Sequence, residues 1–110
     1  MRNLEKEIET LRYHQQLLIH IIQNSKAQFD LLIVEKNMTK EEVKETYNLC
    51  ELLSKRLTLE KAEGYMNFQP LFSQLEKNLT SKLTVKELVE SCLSQGLYEN
   101  LMQEMEKFIY

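Results

Sequence analysis

Two histidines and two cysteines are the residues of this 110-residue chain best suited to metal binding or nucleophilic chemistry. His14 and His20 are six residues apart, so they do not share one helix face as a metal-binding pair at i and i+4 does. Cys50 and Cys92 are widely separated and lie within helical patterns, which predicts buried free thiols in a reducing compartment. The spacing therefore predicts neither a metal site nor a cysteine–histidine nucleophile, and we expect no cofactor.

Neighbouring carboxylates are the other candidates for chemistry, at Glu41 with Glu42 and at Glu104 with Glu106. Glu42 follows Thr39 by three residues, the spacing of a helix capping box, and Glu41 lies in the first turn, where a negative charge suits the helix dipole. The second pair falls on the polar side of a predicted helix. General acid–base catalysis needs burial and a cleft that this pattern does not indicate. The sequence thus predicts no catalytic residue.

The composition predicts a single all-α domain over residues 1–110. Glycine occurs twice and proline once, so turn-forming residues are few. The net charge is −3, with acidic and basic residues mixed along the chain, and we expect no nucleic-acid partner. A helix-turn-helix is disfavoured because the last predicted helix carries three glutamates against Lys107 alone. The apolar runs are too short to span a membrane, and we expect a cytoplasmic location.

A long N-terminal helix, the stem, is predicted over residues 3–24. Its heptad a and d positions are Leu4, Ile8, Leu11, Gln15, Leu18 and Ile22. This spacing predicts self-association through the stem, and isoleucine at a with leucine at d favours a dimer, although a trimer also fits. The alternative is an ordinary amphipathic helix with Gln15 at the rim of an intramolecular core. From Leu17 to Ile22 the stem is apolar on nearly every side, which predicts that the chain's own helices pack around this end.

The remaining residues, 26–110, are predicted to form a helical body, which gives about six helices in all. We expect helices over 26–36, 40–63, 85–95 and 97–109, and one that contains Pro70 in its first turn and ends near residue 82. Thr39 and Thr84 begin capping boxes, and the two glycines end helices. Leu52 and Leu59 lie off the main apolar face of the third helix, as a second contact surface or as scattered exposed leucines.

Several blocks of this sequence resemble the YhaI-like proteins of Bacillus and relatives, small intracellular proteins with a domain of unknown function. The most informative blocks are KAEGY at 61–65 and QGLYENLM at 95–102, with TKEE at 39–42 and LLI at 31–33 in support. The resemblance covers nearly the whole chain. It implies an all-α, multihelical fold that forms oligomers, and it implies no catalytic or binding residues.

The sequence therefore favours a non-enzymatic helical protein that self-associates through the stem, as a dimer or trimer, and acts by binding other proteins. An alternative from another class is a small-ligand-binding protein or an enzyme with a pocket between helices. We expect such a pocket to be lined by Tyr47, Cys50, Tyr65 and Phe68. A closed core around these residues argues against the pocket, whereas an open cleft with convergent polar groups favours it.

Overall fold

The regular structure of the chain consists of α-helices. A computed structural model describes residues 3–23 and 27–110, and within these ranges it contains six helices and no strand. The helices are α1 (Leu4–Gln23), α2 (Gln28–Glu35), α3 (Lys40–Ala62), α4 (Gln69–Asn78), α5 (Val85–Gln95) and α6 (Glu99–Glu106). The predicted all-α class and the long N-terminal helix are confirmed. The predicted end of the stem at residue 24 and the start of the second helix at residue 26 lie outside the described residues.

Two capping boxes set the starts of α3 and α5, as the sequence predicts. Thr39 Oγ1 accepts the backbone N–H of Glu42 at 3.2 Å, and the Glu42 carboxylate accepts the N–H of Thr39 at 2.9 Å. Thr84 and Glu87 repeat the arrangement at 3.1 and 2.9 Å. Each box satisfies two N–H groups that would otherwise have no partner in the first turn of the helix.

The connection between α5 and α6 contains two left-handed residues where the sequence predicted one. Gly96 (φ 77°) ends α5, and the Leu97 N–H donates to the Cys92 carbonyl at 2.8 Å in a Schellman turn. Tyr98 is also left-handed (φ 49°), and its ring lies 6.2 Å from the ring of Tyr47, centroid to centroid. Because of this second left-handed residue, α6 begins two residues later than predicted.

The fourth helix is shorter than predicted, because it ends four residues before Lys82. The backbone is already extended at Leu79 (φ −70°, ψ 142°), and a turn follows. This turn places Lys82 Nζ 2.6 Å from the Glu42 carboxylate and 2.8 Å from the Asn37 carbonyl, at the start of α3. The predicted end was wrong because the partners of Lys82 lie about 40 residues away and leave no local signal.

The core lies among α2 to α6, and α1 stands at its edge. α1 packs chiefly on α2, α2 packs on α5, α5 on α6, and both α4 and α6 on α3. The Cα radius of gyration is 15.2 Å, against roughly 13 Å for a compact chain of this length. The largest fully buried side chains are Phe29, Ile33, Met38, Leu53, Leu57, Leu71, Leu75, Leu88, Val89, Leu101, Met102 and Met105. All of them lie outside α1.

Candidate functional site

α1 carries two apolar faces that lie side by side. Successive residues of an α-helix are rotated by roughly 100° about its axis. The centre of the predicted a and d positions therefore lies about 110° around α1 from the centre of the face formed by His14, Leu17 and Ile21. That second face belongs to the chain's own packing, since His14 is buried, Leu17 packs on the core and Ile21 is half-buried. The other face lies beside it and is exposed, and we call it the seam: Leu4, Ile8, Leu11, Gln15, Leu18 and Ile22.

Every seam residue is exposed. The exposed fractions of the five apolar side chains are Leu4 65%, Ile8 51%, Leu11 67%, Leu18 43% and Ile22 84%. Gln15 is exposed as well. Single exposed leucines are ordinary on a protein surface, but a contiguous apolar strip is typical of a contact surface. The structure therefore places the predicted self-association residues together on one side of α1, and none of them in the core of its own chain.

The prediction that the chain's own helices surround residues 17–22 is right for only one side of the helix. Leu17 packs on the core and Ile21 is half-buried, as expected. Leu18, Ile19 and Ile22 remain exposed, and Ile19 is 54% exposed. The physical reason is that α1 packs chiefly on a single helix, α2, which covers one face of it.

An open groove of about 480 Å³ runs along the seam. It is lined by Ile8, Leu11, Arg12, His14, Gln15, Leu18 and Val34. Val34 belongs to α2 and is half-buried, so α2 forms part of the groove wall. The lining is mainly apolar, and Arg12 carries its one permanent charge. Side chains of a second helix fill grooves of this kind when two helices pack.

His14 attaches α1 to the rest of the chain. Its Nε2 lies 2.7 Å from the Met38 carbonyl, and because a carbonyl only accepts, this nitrogen carries the proton and donates. The side chain is 7% exposed. The heptad spacing places His14 at a g position, outside the seam, and does not predict its burial. The partner is 24 residues away, at the turn before α3, and sequence periodicity carries no signal of it.

A second polar cluster lies where α1, α2 and α5 meet. His20 Nδ1 is hydrogen-bonded to the carboxylate of Asp30, which is 5% exposed. Gln95 of α5 donates to the other Asp30 oxygen at 3.2 Å. Its carbonyl oxygen accepts the backbone N–H groups of Phe29 at 2.9 Å and Asp30 at 3.1 Å. Because the N-cap residue of α2 is Ala27, which makes no side-chain cap, Gln95 performs the capping from another helix.

The pKa values of two tyrosines near Asp30 are raised. Burial raises the pKa of Tyr13, and the Asp30 charge adds to the effect. The pKa of Tyr47 is also raised, by burial first and by Asp30 second. The cluster therefore consists of groups that hold structure through hydrogen bonds and packing, with the Asp30 carboxyl group bonded to His20 and Gln95.

The two thiols are buried and free, as predicted. Burial raises the pKa of Cys50 to about 12, and burial, followed by the effect of Cys50, raises that of Cys92. A nucleophilic cysteine needs a depressed pKa and access to solvent, so this arrangement does not suit nucleophilic chemistry. Among residues 3–23 and 27–110, no three potential metal-binding side chains lie close enough together to hold an ion.

The four residues expected to line a ligand pocket do not form a cleft. Cys50 and Phe68 are 1% and 6% exposed and belong to the core. The ring of Tyr47 packs against Phe29 at 5.5 Å between centroids. Tyr65 is 57% exposed, outside that core. The chain thus closes its core at the place where the sequence put the alternative pocket.

A protein-family model matches residues 1–110, and its description reads "protein of unknown function (DUF1878)". The chain belongs to this family. The match includes both α1 and the helices that form the core. Within the described part of this DUF1878 chain, no helix has the length and apolar character required to cross a bilayer.

Proposed function

We propose that this DUF1878 protein is a non-enzymatic, single-domain helical protein that self-associates through the seam and acts by binding other proteins. The observation that carries the proposal is the exposure of all six seam residues, from Leu4 to Ile22, on a helix whose adjacent face already packs on the chain's own body. Burial of this apolar strip against a second copy is favourable, at roughly 25 cal/mol for each Å² removed from water. The groove of about 480 Å³ along the seam supports the proposal, because it offers room for side chains of that copy.

The size of the assembly follows from the residues at the a and d positions. Isoleucine at a, in Ile8 and Ile22, with leucine at every d position favours two strands. Three strands are the alternative, to be distinguished by mass. The resemblance to the YhaI-like family of Bacillus supports an oligomer, because that resemblance implies multihelical oligomers. The buried free thiols Cys50 and Cys92 support a reducing compartment and hence a cytoplasmic location.

The test is the molar mass in solution, measured by light scattering after size exclusion at micromolar concentration. We expect a dimer or trimer for the natural chain. Ile8→Asp combined with Ile22→Asp places charge in the seam and should lower the mass to that of a monomer. The matched control is Gln16→Asp with Gln23→Asp, which adds two carboxylates to exposed positions of the same helix off the seam and should leave the mass unchanged. A monomeric natural chain contradicts the proposal.

A second pair of substitutions tests the exposed leucines of α3. Leu52 and Leu59 are 56% and 59% exposed, close to the 51% of Ile8. Leu52→Asp with Leu59→Asp therefore removes a similar amount of exposed apolar surface at another place. We expect this variant to keep the oligomeric mass. If it becomes monomeric while the Ile8 and Ile22 double variant does not, the contact lies on α3 and the seam is not the interface.

A further inference from the structure

We infer that copies of the chain meet with their α1 helices parallel and in register, so that Gln15 of one copy faces Gln15 of the other. This inference rests on the proposed self-association and adds the orientation of the partner, which exposure of the seam alone does not define. Three features of α1 carry it, at Gln15, Arg12 and Ile19.

The apolar spacing of the seam fits both orientations. In a parallel pair each a or d residue faces its own equivalent. In an antiparallel pair that overlaps fully, the seam also aligns with itself, because Leu4 then faces Ile22 and Ile8 faces Leu18. The orientation is therefore decided by the residues whose contacts differ between the two arrangements.

Gln15 is the first of these residues, since it is the polar member of an otherwise apolar seam. In the antiparallel arrangement it faces Leu11, and a buried amide without a hydrogen-bond partner is costly. In the parallel arrangement the two Gln15 amides lie in the same layer, where each can donate to and accept from the other. A polar a residue that pairs with its own equivalent is a known means of fixing register.

Arg12 is the second, and it occupies the heptad e position at the edge of the groove. In an antiparallel pair, e positions face e positions, so full overlap brings Arg12 of both copies together near the middle of the interface. In a parallel pair, e positions face g positions, and the two Arg12 side chains lie on opposite flanks. Like charges in contact are unfavourable, so Arg12 disfavours the antiparallel arrangement.

Ile19 is the third, an e residue that is 54% exposed. The parallel arrangement places it against the g side of the partner helix, where His14 and Val34 form the wall of the groove. The antiparallel arrangement places it opposite Glu5 instead. The parallel arrangement therefore places Ile19 beside the groove wall, whose apolar member is Val34, and not beside a carboxylate.

Disulfide cross-linking at the seam tests the orientation. Leu18→Cys and Ile8→Cys are made singly in the natural chain and equilibrated in a glutathione redox buffer, alone and as a mixture. In a parallel pair, each variant alone should form a covalent dimer. In an antiparallel pair, the two copies of residue 18 are offset by ten residues along the helix axis, which separates them by about 15 Å. This exceeds the roughly 7 Å limit between the Cα atoms of a disulfide. There, only the mixture cross-links, between positions 8 and 18.

Two controls test whether cross-linking is specific to the seam. The natural chain keeps Cys50 and Cys92 buried and should give no covalent dimer. Gln16→Cys places a thiol at an exposed position of α1 outside the seam. It should give at least tenfold less covalent dimer than Leu18→Cys. A dominant mixed disulfide in an oligomeric protein overturns the orientation and leaves self-association intact. A monomeric natural chain overturns both proposals, and so does an oligomer in which no seam cysteine cross-links.

Discussion

The Gln95→Ala substitution should destabilise the chain far more than its half-exposed position suggests. Gln95 accepts two backbone N–H groups of α2, from Phe29 and Asp30, and donates to the Asp30 carboxylate. Alanine removes all three hydrogen bonds. It also leaves α2 without any side-chain cap, because Ala27 provides none.

The change in the free energy of unfolding combines the loss of a helix cap with the loss of a hydrogen bond to a carboxylate. Loss of a helix cap costs typically about 1 kcal/mol and up to about 2, and a hydrogen bond to a charged group adds roughly 1.5 to 3 kcal/mol. Gln95 is half-buried, so water replaces part of the hydrogen bonding that alanine removes. We therefore expect the free energy of unfolding to fall by about 2 kcal/mol, or about 8 to 16 °C in Tm for a domain of this size.

Urea denaturation followed by circular dichroism measures the change, at one fixed chain concentration because self-association contributes to stability. Hydrogen exchange should also accelerate at the amides of Phe29 and Asp30. Gln103→Ala, at an exposed position of α6, is the control and should change stability by less than about 0.5 kcal/mol. A Gln95→Ala chain as stable as this control, with unchanged exchange at both amides, would refute the capping role.

Two further predictions concern groups whose pKa is shifted. The buried Cys50 and Cys92, both with raised pKa values, should react with a thiol reagent such as DTNB only after unfolding in guanidinium; rapid labelling of two thiols in the folded chain would contradict their burial. Hydrogen bonds from the Lys36 side chain, at 2.8 Å, and from the Thr84 N–H lower the pKa of Glu87 below 4.5. Its folded state therefore holds fewer protons than the unfolded state, so its stabilisation is present above about pH 5 and is lost as the pH falls through 4.5 and below. Glu87→Gln should lower stability at pH 7 and differ less from the natural chain at pH 3, as measured by urea midpoints; an equal difference at both pH values would contradict the assignment.

The features that the sequence predicts correctly are those whose determining contacts are local. The capping boxes at Thr39 and Thr84 and the stop at Gly96 involve partners within five residues, and each was predicted with its bounds. Periodicity also identified both apolar faces of α1. It could not identify which of them packs on α2, because both are apolar and the choice depends on tertiary contacts that leave no local signal.

The features that sequence reasoning missed depend on partners far along the chain. The burial of His14 depends on a carbonyl 24 residues away, and the cap of α2 depends on Gln95, 65 residues away. The left-handed Tyr98 is another example, since bulky residues rarely adopt this conformation. Its aromatic contact with Tyr47 depends on the packing of α6 on α3, which leaves no local signal.

The position of Gln95 has a consequence for the order in which the chain acquires structure. α2 has eight residues, too few for a helix that is stable by itself, and its cap is supplied by α5. At roughly 5 to 20 residues per second, a ribosome needs roughly 4 to 14 seconds to extend the chain from Gln23 to Gln95. Through that interval α1 has no completed α2 on which to pack. α1 is therefore packed on a capped α2 only after α5 has been synthesised.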